Sequence, residues 1–431
     1  MKSTSTIDLS TDASGVKGLL AKTVATIGPG LFVLGYTIGT GSVTTMATSG
    51  AAYGMTLTWA VALSCLFTFF LVVGISRLTI VKGRPFASSV RERFGRPLAL
   101  FFVFSFMLTV VTSVMGISAI VGEAVQAWTV VLGVGENGVP SLATGLFLAT
   151  GLFLLFWTGS HRLFMKAFAV VVGIMGGCFL LTTLIVVSQP SALFETLPPS
   201  IPPGGEGHLI LAGMVGTTMA SVVIVARSYV VDAQGWTMAD LRTERRDAGL
   251  SLFLTFVVSA AIMACAAGVM YAQGLRVESA IDMVQTLEPL AGDFAASVFV
   301  VGLVAAGLSS LFPGYLLGPW LLLDYFDQPR DLTKTWVRLL VLAVAATGLV
   351  VPLFGGRPVV VMIASQAISP VVMPLMIVII LYMLNAGRTD SSGAAYRNAR
   401  WLTAGLVVAL VFSLFVSYSA IVGLIDFIQT S

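Results

Sequence analysis

The chain has 431 residues, 57% of them hydrophobic and only 10% charged, with a formal net charge of +3. A mean hydropathy of +0.97 is more than a water-soluble core needs, so a soluble enzyme or scaffold is excluded and a polytopic all-α membrane protein is implied. The small net charge supplies no footing for a nucleic-acid partner; the lipid bilayer is the partner that composition demands.

Residues 1–22 are polar, rich in Ser, Thr and Asp, and lack the apolar core of a signal peptide, so they read as a cytosolic tail. Apolar runs of roughly 20 residues then follow one another. Eleven spans are predicted, at about 23–51, 55–80, 98–133, 141–159, 167–188, 208–230, 248–273, 295–323, 337–354, 358–384 and 401–427. The third and eighth are long enough to tilt or to run beyond the bilayer. With the amino terminus inside, 21 of the 23 Lys and Arg residues fall on the inner side, and only Arg276 and Arg357 fall outside. One missed span would invert every later loop. The bias therefore supports the span count, a cytoplasmic amino terminus and an outer carboxyl terminus, as in a bacterial inner-membrane protein.

Cys65, Cys178 and Cys265 all lie within apolar spans and read as small packing residues, not a disulfide framework. His161 and His208 stand at span ends. No Cys/His cluster is present, so no metal centre and no resident cofactor are expected, and nothing points to an enzyme.

Two short runs carry the most information. Gly39-Thr40-Gly41-Ser42 interrupts span one, and Gly216-Thr217-Thr218-Met219-Ala220-Ser221 interrupts span six. Small and hydroxyl residues at mid-span loosen a helix, and the freed backbone groups must face protein or a water-filled cavity. The two breaks are an odd number of spans apart, so spans 1–5 (23–188) and 6–10 (208–384) have opposite topology. That is an inverted repeat with a site between its halves, and 401–427 is an addition.

Here the residues resemble the Nramp family of proton-coupled divalent-metal transporters, along nearly the whole chain. Gly28-Pro29-Gly30-Leu31, the break, Gly50 and Tyr53-Gly54 are similar to that family's first helix. Gly213-Met214-Val215-Gly216 is similar to the entry of its sixth, and Ala305-Ala306-Gly307-Leu308-Ser309-Ser310 to its eighth. Ser365-Gln366 with Pro374-Leu375 is similar to its tenth. The resemblance implies a LeuT-type fold of five plus five helices and an eleventh.

The departures fall on the site. The family's DPGN motif falls on Gly39, Thr40, Gly41 and Ser42, so its metal-binding Asp is Gly39. Its MPH motif falls on Ala220, Ser221 and Val222, which removes the thioether and the His. The third-helix acids fall on or near Gly116 and Ala119, and the eighth-helix Gln is Leu308. A divalent cation at mid-membrane needs charged or strongly donating ligands, and Mn²⁺ or Fe²⁺ would be badly served here. Ile38-Gly39-Thr40-Gly41 also resembles the Gly-x-Gly break of amino-acid permeases of the same fold, where amides at a half-helix start hold a carboxylate; exposed amides and the helix dipole favour an anion.

The predicted substrate site is therefore Gly39, Thr40, Gly41, Ser42, Thr217, Thr218, Ala220, Ser221, Val222 and Gln366. Arg227 is a candidate for anion attraction at the inner vestibule, and Glu123, an intramembrane acid, for coupling. Arg242, Arg245 and Arg246 read as an inner loop facing lipid headgroups. The expected function is secondary transport, as a monomer, of a small anion or carboxylate-bearing solute, bicarbonate to amino-acid size, coupled to H⁺ or Na⁺ or uncoupled. The alternatives are a divalent-cation transporter, with Mg²⁺ keeping its waters or Mn²⁺ as cargo, and a non-transporting binder or sensor of the same fold.

Overall fold

The computed structural model describes residues 28–157, 161–186, 196–277, 280–355, 358–386, 396 and 398–430, and among them finds helices and turns. Span one is two half-helices, α1 (Gly28–Thr37) and α2 (Thr40–Tyr53); span two is α3 (Thr58–Lys82). A short α4 (Phe86–Phe94) leads to span three, α5 (Arg96–Val131), span four, α6 (Ser141–Trp157), and span five, α7 (His161–Val186). Span six is again two pieces, α8 (Gly204–Thr218) and α9 (Ser221–Gln234), followed by span seven, α10 (Leu241–Val269). Span eight is α11 (Ala280–Tyr325); span nine is broken into α12 (Thr335–Thr347) and α13 (Val350–Phe354). Span ten is α14 (Pro358–Ala386) and span eleven α15 (Arg400–Thr430).

Spans two, three, five, seven, eight, ten and eleven each hold a helix long and apolar enough to cross a membrane, span six reaches that length across its two halves, and the helices of spans one, four and nine are shorter. The long third and eighth spans are helices of 36 and 46 residues. The predicted start of span one, residues 23–27, lies outside the described residues. The amphipathic α4 lies in the connection between predicted spans two and three, where buried Phe86 and Val90 seat it against the protein.

Spans one and six occupy the centre. Every residue of α2 from Thr40 to Ala51 is buried, although this helix is mostly Thr, Ser, Gly and Ala. Small side chains let neighbouring backbones approach closely, which is how helices associate where lipid gives no hydrophobic drive. Span seven packs along α2, span eight along spans three and five, and span ten against α8 and span eleven. The large apolar side chains left exposed, such as Phe104, Phe147, Leu184 and Val411, lie on outer spans three, four, five and eleven, where lipid is the solvent.

Span ten shows how sequence sets a close contact. Pro370 and Pro374 lie inside α14, and a proline has no N–H to give the carbonyl four residues back. The carbonyls so released are those of Gln366 and Pro370. That of Pro370 accepts the Ser417 hydroxyl of span eleven at 2.7 Å. That of Gln366 faces Gly216, where a Cβ would stand 2.1 Å from the oxygen. Gly216→Ala is therefore expected to push spans six and ten apart and lower stability by about 1–3 kcal/mol, the usual cost of overpacking. Thermal unfolding in detergent checks this, with Gly177→Ala, at a position with open space, as the control.

Candidate functional site at the span-one break

The backbone of span one breaks at Ile38 and Gly39, at the leading edge of the predicted stretch Gly39–Ser42. Thr40, Gly41 and Ser42 already form the first turn of α2. Gly39 is extended, with φ −94° and ψ −176°, a conformation open to any residue, so its lack of a side chain serves space. A Cβ here would stand 1.9 Å from Ser310 Oγ and 2.9 Å from Ser310 Cβ. Ser310 of span eight thus fills the place from which a carboxylate on residue 39 would start.

Thr40, Gly41 and Ser42 lie in the turn whose N–H groups have no intrahelical partner. Around it the hydroxyls of Thr37, Thr40, Ser42, Thr44 and Ser310 are buried with no hydrogen-bond partner in the protein. Thr45 differs: its hydroxyl donates to the carbonyl of Gly41 at 2.9 Å. A buried polar group without a partner costs free energy, so five of them around one unwound point mark a place built to meet a guest or water.

Span ten closes this site. The positions of a Cβ on Gly41 would lie 3.1 Å from Gln366 Nε2 and 3.3 Å from Met362 Sδ. Gln366 Nε2 donates to Ser113 Oγ of span three at 3.3 Å, and Gly116, one of the positions without the family's acids, also packs on Met362 Sδ. Gln366 therefore joins the predicted residues Gly39, Thr40, Gly41 and Ser42. Met362, Ser113 and Ser310 were missed. The thioether that the sequence places nowhere near the site is supplied by Met362, one helical turn before Gln366 on the same face; that spacing was the available signal. Ser310 stood in the motif that carried the resemblance.

The span-six break falls at Met219 and Ala220, within the predicted segment. Its hydroxyls are spent at home, which corrects the expectation that they serve as donors to a substrate. Those of Thr217 and Thr218 both donate to the Met214 carbonyl, at 2.9 and 3.3 Å. The Ser221 N–H donates to Ser369 Oγ at 3.0 Å, and the two serine hydroxyls lie 3.1 Å apart. The Thr218 carbonyl accepts from Thr68 of span two at 3.2 Å. Ala220 and Val222 are buried and apolar. The open bonding capacity of the two breaks is thus unequal and lies on span one.

Arg227 is not a vestibule attractor. It is completely buried, with Nη1 donating to Asp247 Oδ2 at 2.8 Å, Nε to Ser76 Oγ at 3.1 Å, and Nη2 3.8 Å from Glu244 Oε1. A guanidinium already engaged by two carboxylates has little attraction left for a free anion. Arg242, Arg245 and Arg246 belong to the first turns of α10, not to a loop, and Arg245 lies over the Trp401 ring at 5.7 Å. Glu123 is half-buried on span three, seven residues and so roughly 10 Å of helix beyond Gly116. Among the described residues no group of three or more His, Cys, Asp or Glu is placed to hold a metal. The donors at the break are neutral: hydroxyls, amides, one carboxamide and one thioether.

A family model described as natural resistance-associated macrophage protein-like matches residues 30–423. A divalent metal cation transporter MntH of Pectobacterium carotovorum subsp. carotovorum (strain PC1) is 29% identical over 397 residues, covering 88% of this chain and 90% of that protein. Its namesake from Klebsiella pneumoniae (strain 342) is 28% identical over 407 residues, covering 91% and 92%. Among solved structures, the manganese transporter of Eremococcus coleocola, in complex with an aromatic bis-isothiourea substituted compound, superposes with a TM-score of 0.72 at 19% identity, over 97% of this chain and 91% of that one. Mhp1, a nucleobase-cation-symport-1 family transporter in a closed conformation, matches with a TM-score of 0.61 at 16% identity, over 93% and 90%. At these identities the solved structures establish a shared fold.

Proposed function

The chain belongs to the natural resistance-associated macrophage protein-like (Nramp) family, and from that membership we propose that this transporter carries a divalent cation with much of its hydration shell kept, by alternating access at the span-one break. The relatives' names speak for a divalent cation, and they outweigh the anion that the sequence alone favoured. The donor set bears on the form of the cargo. Among the described residues no carboxylate stands at the break, so a cation there is held by neutral oxygens and by its own water, the habit of Mg²⁺ more than of Mn²⁺. The single observation that carries this reading is the set of five unpartnered buried hydroxyls, those of Thr37, Thr40, Ser42 and Thr44 on span one and of Ser310 beside Gly39. Energy comes from a gradient of H⁺ or Na⁺. The bacterial relatives support placement in the plasma membrane; an inner amino terminus follows from the placement of Lys and Arg, and we take the protein to act as a monomer.

A second reading has its own observation. The start of α2 presents free amides beside those hydroxyls, with no acid nearby to repel an anion, which suits bicarbonate or a small carboxylate. Calorimetry on the purified protein separates the two. Mg²⁺ is expected to bind in the millimolar to submillimolar range, and Mn²⁺ no more tightly than Mg²⁺, with Ser42→Ala and Gln366→Ala each weakening Mg²⁺. Binding of bicarbonate or acetate but not Mg²⁺ would establish the anion reading. Micromolar Mn²⁺ binding lost on Met362→Leu would mean that the thioether, and not water, completes the site.

A further inference from the structure

We propose that Glu244 is a proton-binding site, and that the loss of its proton opens the end of the molecule that the charge bias assigns to the cytoplasm. The inference is independent of which cargo the span-one break takes. It begins with a cluster at the inner ends of four spans. Arg227 comes from span six, Asp247 and Glu244 from span seven, Ser76 from span two, and the Gly30 N–H from span one. Asp247 is fully used: Oδ2 accepts from Arg227 and Oδ1 from the Gly30 N–H at 3.0 Å. Gly30 has no side chain to spare, since a Cβ would meet Asp247 Oδ1 at 2.3 Å and Ser251 Oγ at 2.2 Å.

Glu244 is equally buried, yet neither of its oxygens has a hydrogen-bond partner, and its nearest cation, Arg227 Nη2, is 3.8 Å away. One guanidinium therefore stands between two carboxylates. Arg77, next to Ser76 on span two, is buried as well and its charge is felt at Glu244, but its guanidinium lies over the Trp401 ring at 5.6 Å and forms no salt bridge with Glu244. Arg245, on the opposite side of Glu244's own turn, is exposed and lies over the same ring. With a proton on Glu244 the paired core, Arg227 with Asp247, is neutral and can stay dry. Without it a carboxylate that no cation contacts within hydrogen-bond distance is left charged in a water-free place, and a buried charge not directly paired is costly. Water entry relieves that cost, and the way in is short. A cavity of about 420 Å³ is lined by Thr79, Asp232, Trp236 and Thr237, and the Trp236 ring lies over the Arg227 guanidinium at 5.3 Å. Trp236 is the part shared by cavity and cluster, so opening there means moving Trp236.

The test uses the full chain in lipid nanodiscs, with protons as the only ligand. Infrared difference spectra are recorded as the pH is lowered from about 9 to about 5, a range that covers buried carboxylates. Wild type is expected to gain a protonated-carboxyl band that Glu244→Gln lacks and Asp324→Asn keeps. In parallel, iodide quenching of the fluorescence that Trp236→Phe removes is expected to rise with pH in wild type, and to stay low at every pH in Glu244→Gln, which mimics the protonated state. Glu244→Asp, which keeps the titration, should shift its midpoint. A band that survives Glu244→Gln, or Trp236 quenching that ignores pH in wild type, overturns the proposal. The wild-type titration decides even if the Gln variant does not fold.

Discussion

Arg227→Met is expected to destabilise the folded chain by about 3–5 kcal/mol, the cost of breaking a buried ion pair from one side. The substitution leaves Asp247 charged and buried with only the Gly30 N–H, and strips Glu244 of its nearest cation. The Ser76 hydroxyl loses its donor as well. Arg227→Lys should cost less but still be felt, because an ammonium cannot reach Ser76, Asp247 and Glu244 in the fixed fork that a guanidinium presents. Adding Asp247→Leu to Arg227→Met is expected to restore part of the loss, since an apolar replacement of both partners removes the orphaned charge. Thermal unfolding followed by tryptophan fluorescence measures all three. An unchanged midpoint in the single Met variant would mean that water already reaches the cluster.

The second large effect is expected from Gly39→Asp, which returns a carboxylate to the break. At about 4 Å and an effective dielectric constant near 20, one unit charge acts on another with about 4 kcal/mol, which is roughly a thousandfold in affinity. Mg²⁺ and Mn²⁺ binding should therefore tighten strongly, and any binding of bicarbonate or acetate should disappear. The steric term runs the other way, because the new Cβ meets Ser310. Gly39→Asp combined with Ser310→Gly removes that clash, and is expected to show the electrostatic gain in full. Calorimetry on both variants, after a check that they elute as folded monomers, reads the result. Retained anion binding in the double variant would show that the charged cargo does not touch residue 39.

How far the sequence reached can be followed residue by residue. The pair of Gly/Thr/Ser interruptions located both broken spans, because a helix at membrane depth has no water to replace a lost backbone bond and such runs are tolerated only inside protein. It carried the break in span one too far, since Thr40 to Ser42, poor helix formers on paper, are buried and helical. The polar Gln366 stood out in an apolar span. Met362 did not, because a methionine in a membrane helix is unremarkable until Gly41 and Gly116 are seen against its sulfur.

The sequence by itself determined that the chain is an all-α membrane protein of the resembled fold, and it pointed to two interrupted spans as the place to look for a site. Those features are written in local composition, in the 20-residue apolar repeat and in the placement of Lys and Arg, each of which acts within one segment. Tertiary structure alone decided which groups meet. It spent the Thr217 and Thr218 hydroxyls on their own helix and left those of span one open. It filled the missing Asp position with Ser310, and joined Arg227 to Asp247, 20 residues on, and to Ser76, 151 residues back. Spacing along a chain carries no information on contacts of that separation; they exist because four inner helix ends converge where no water is available, and each charge there had to find its partner on another helix.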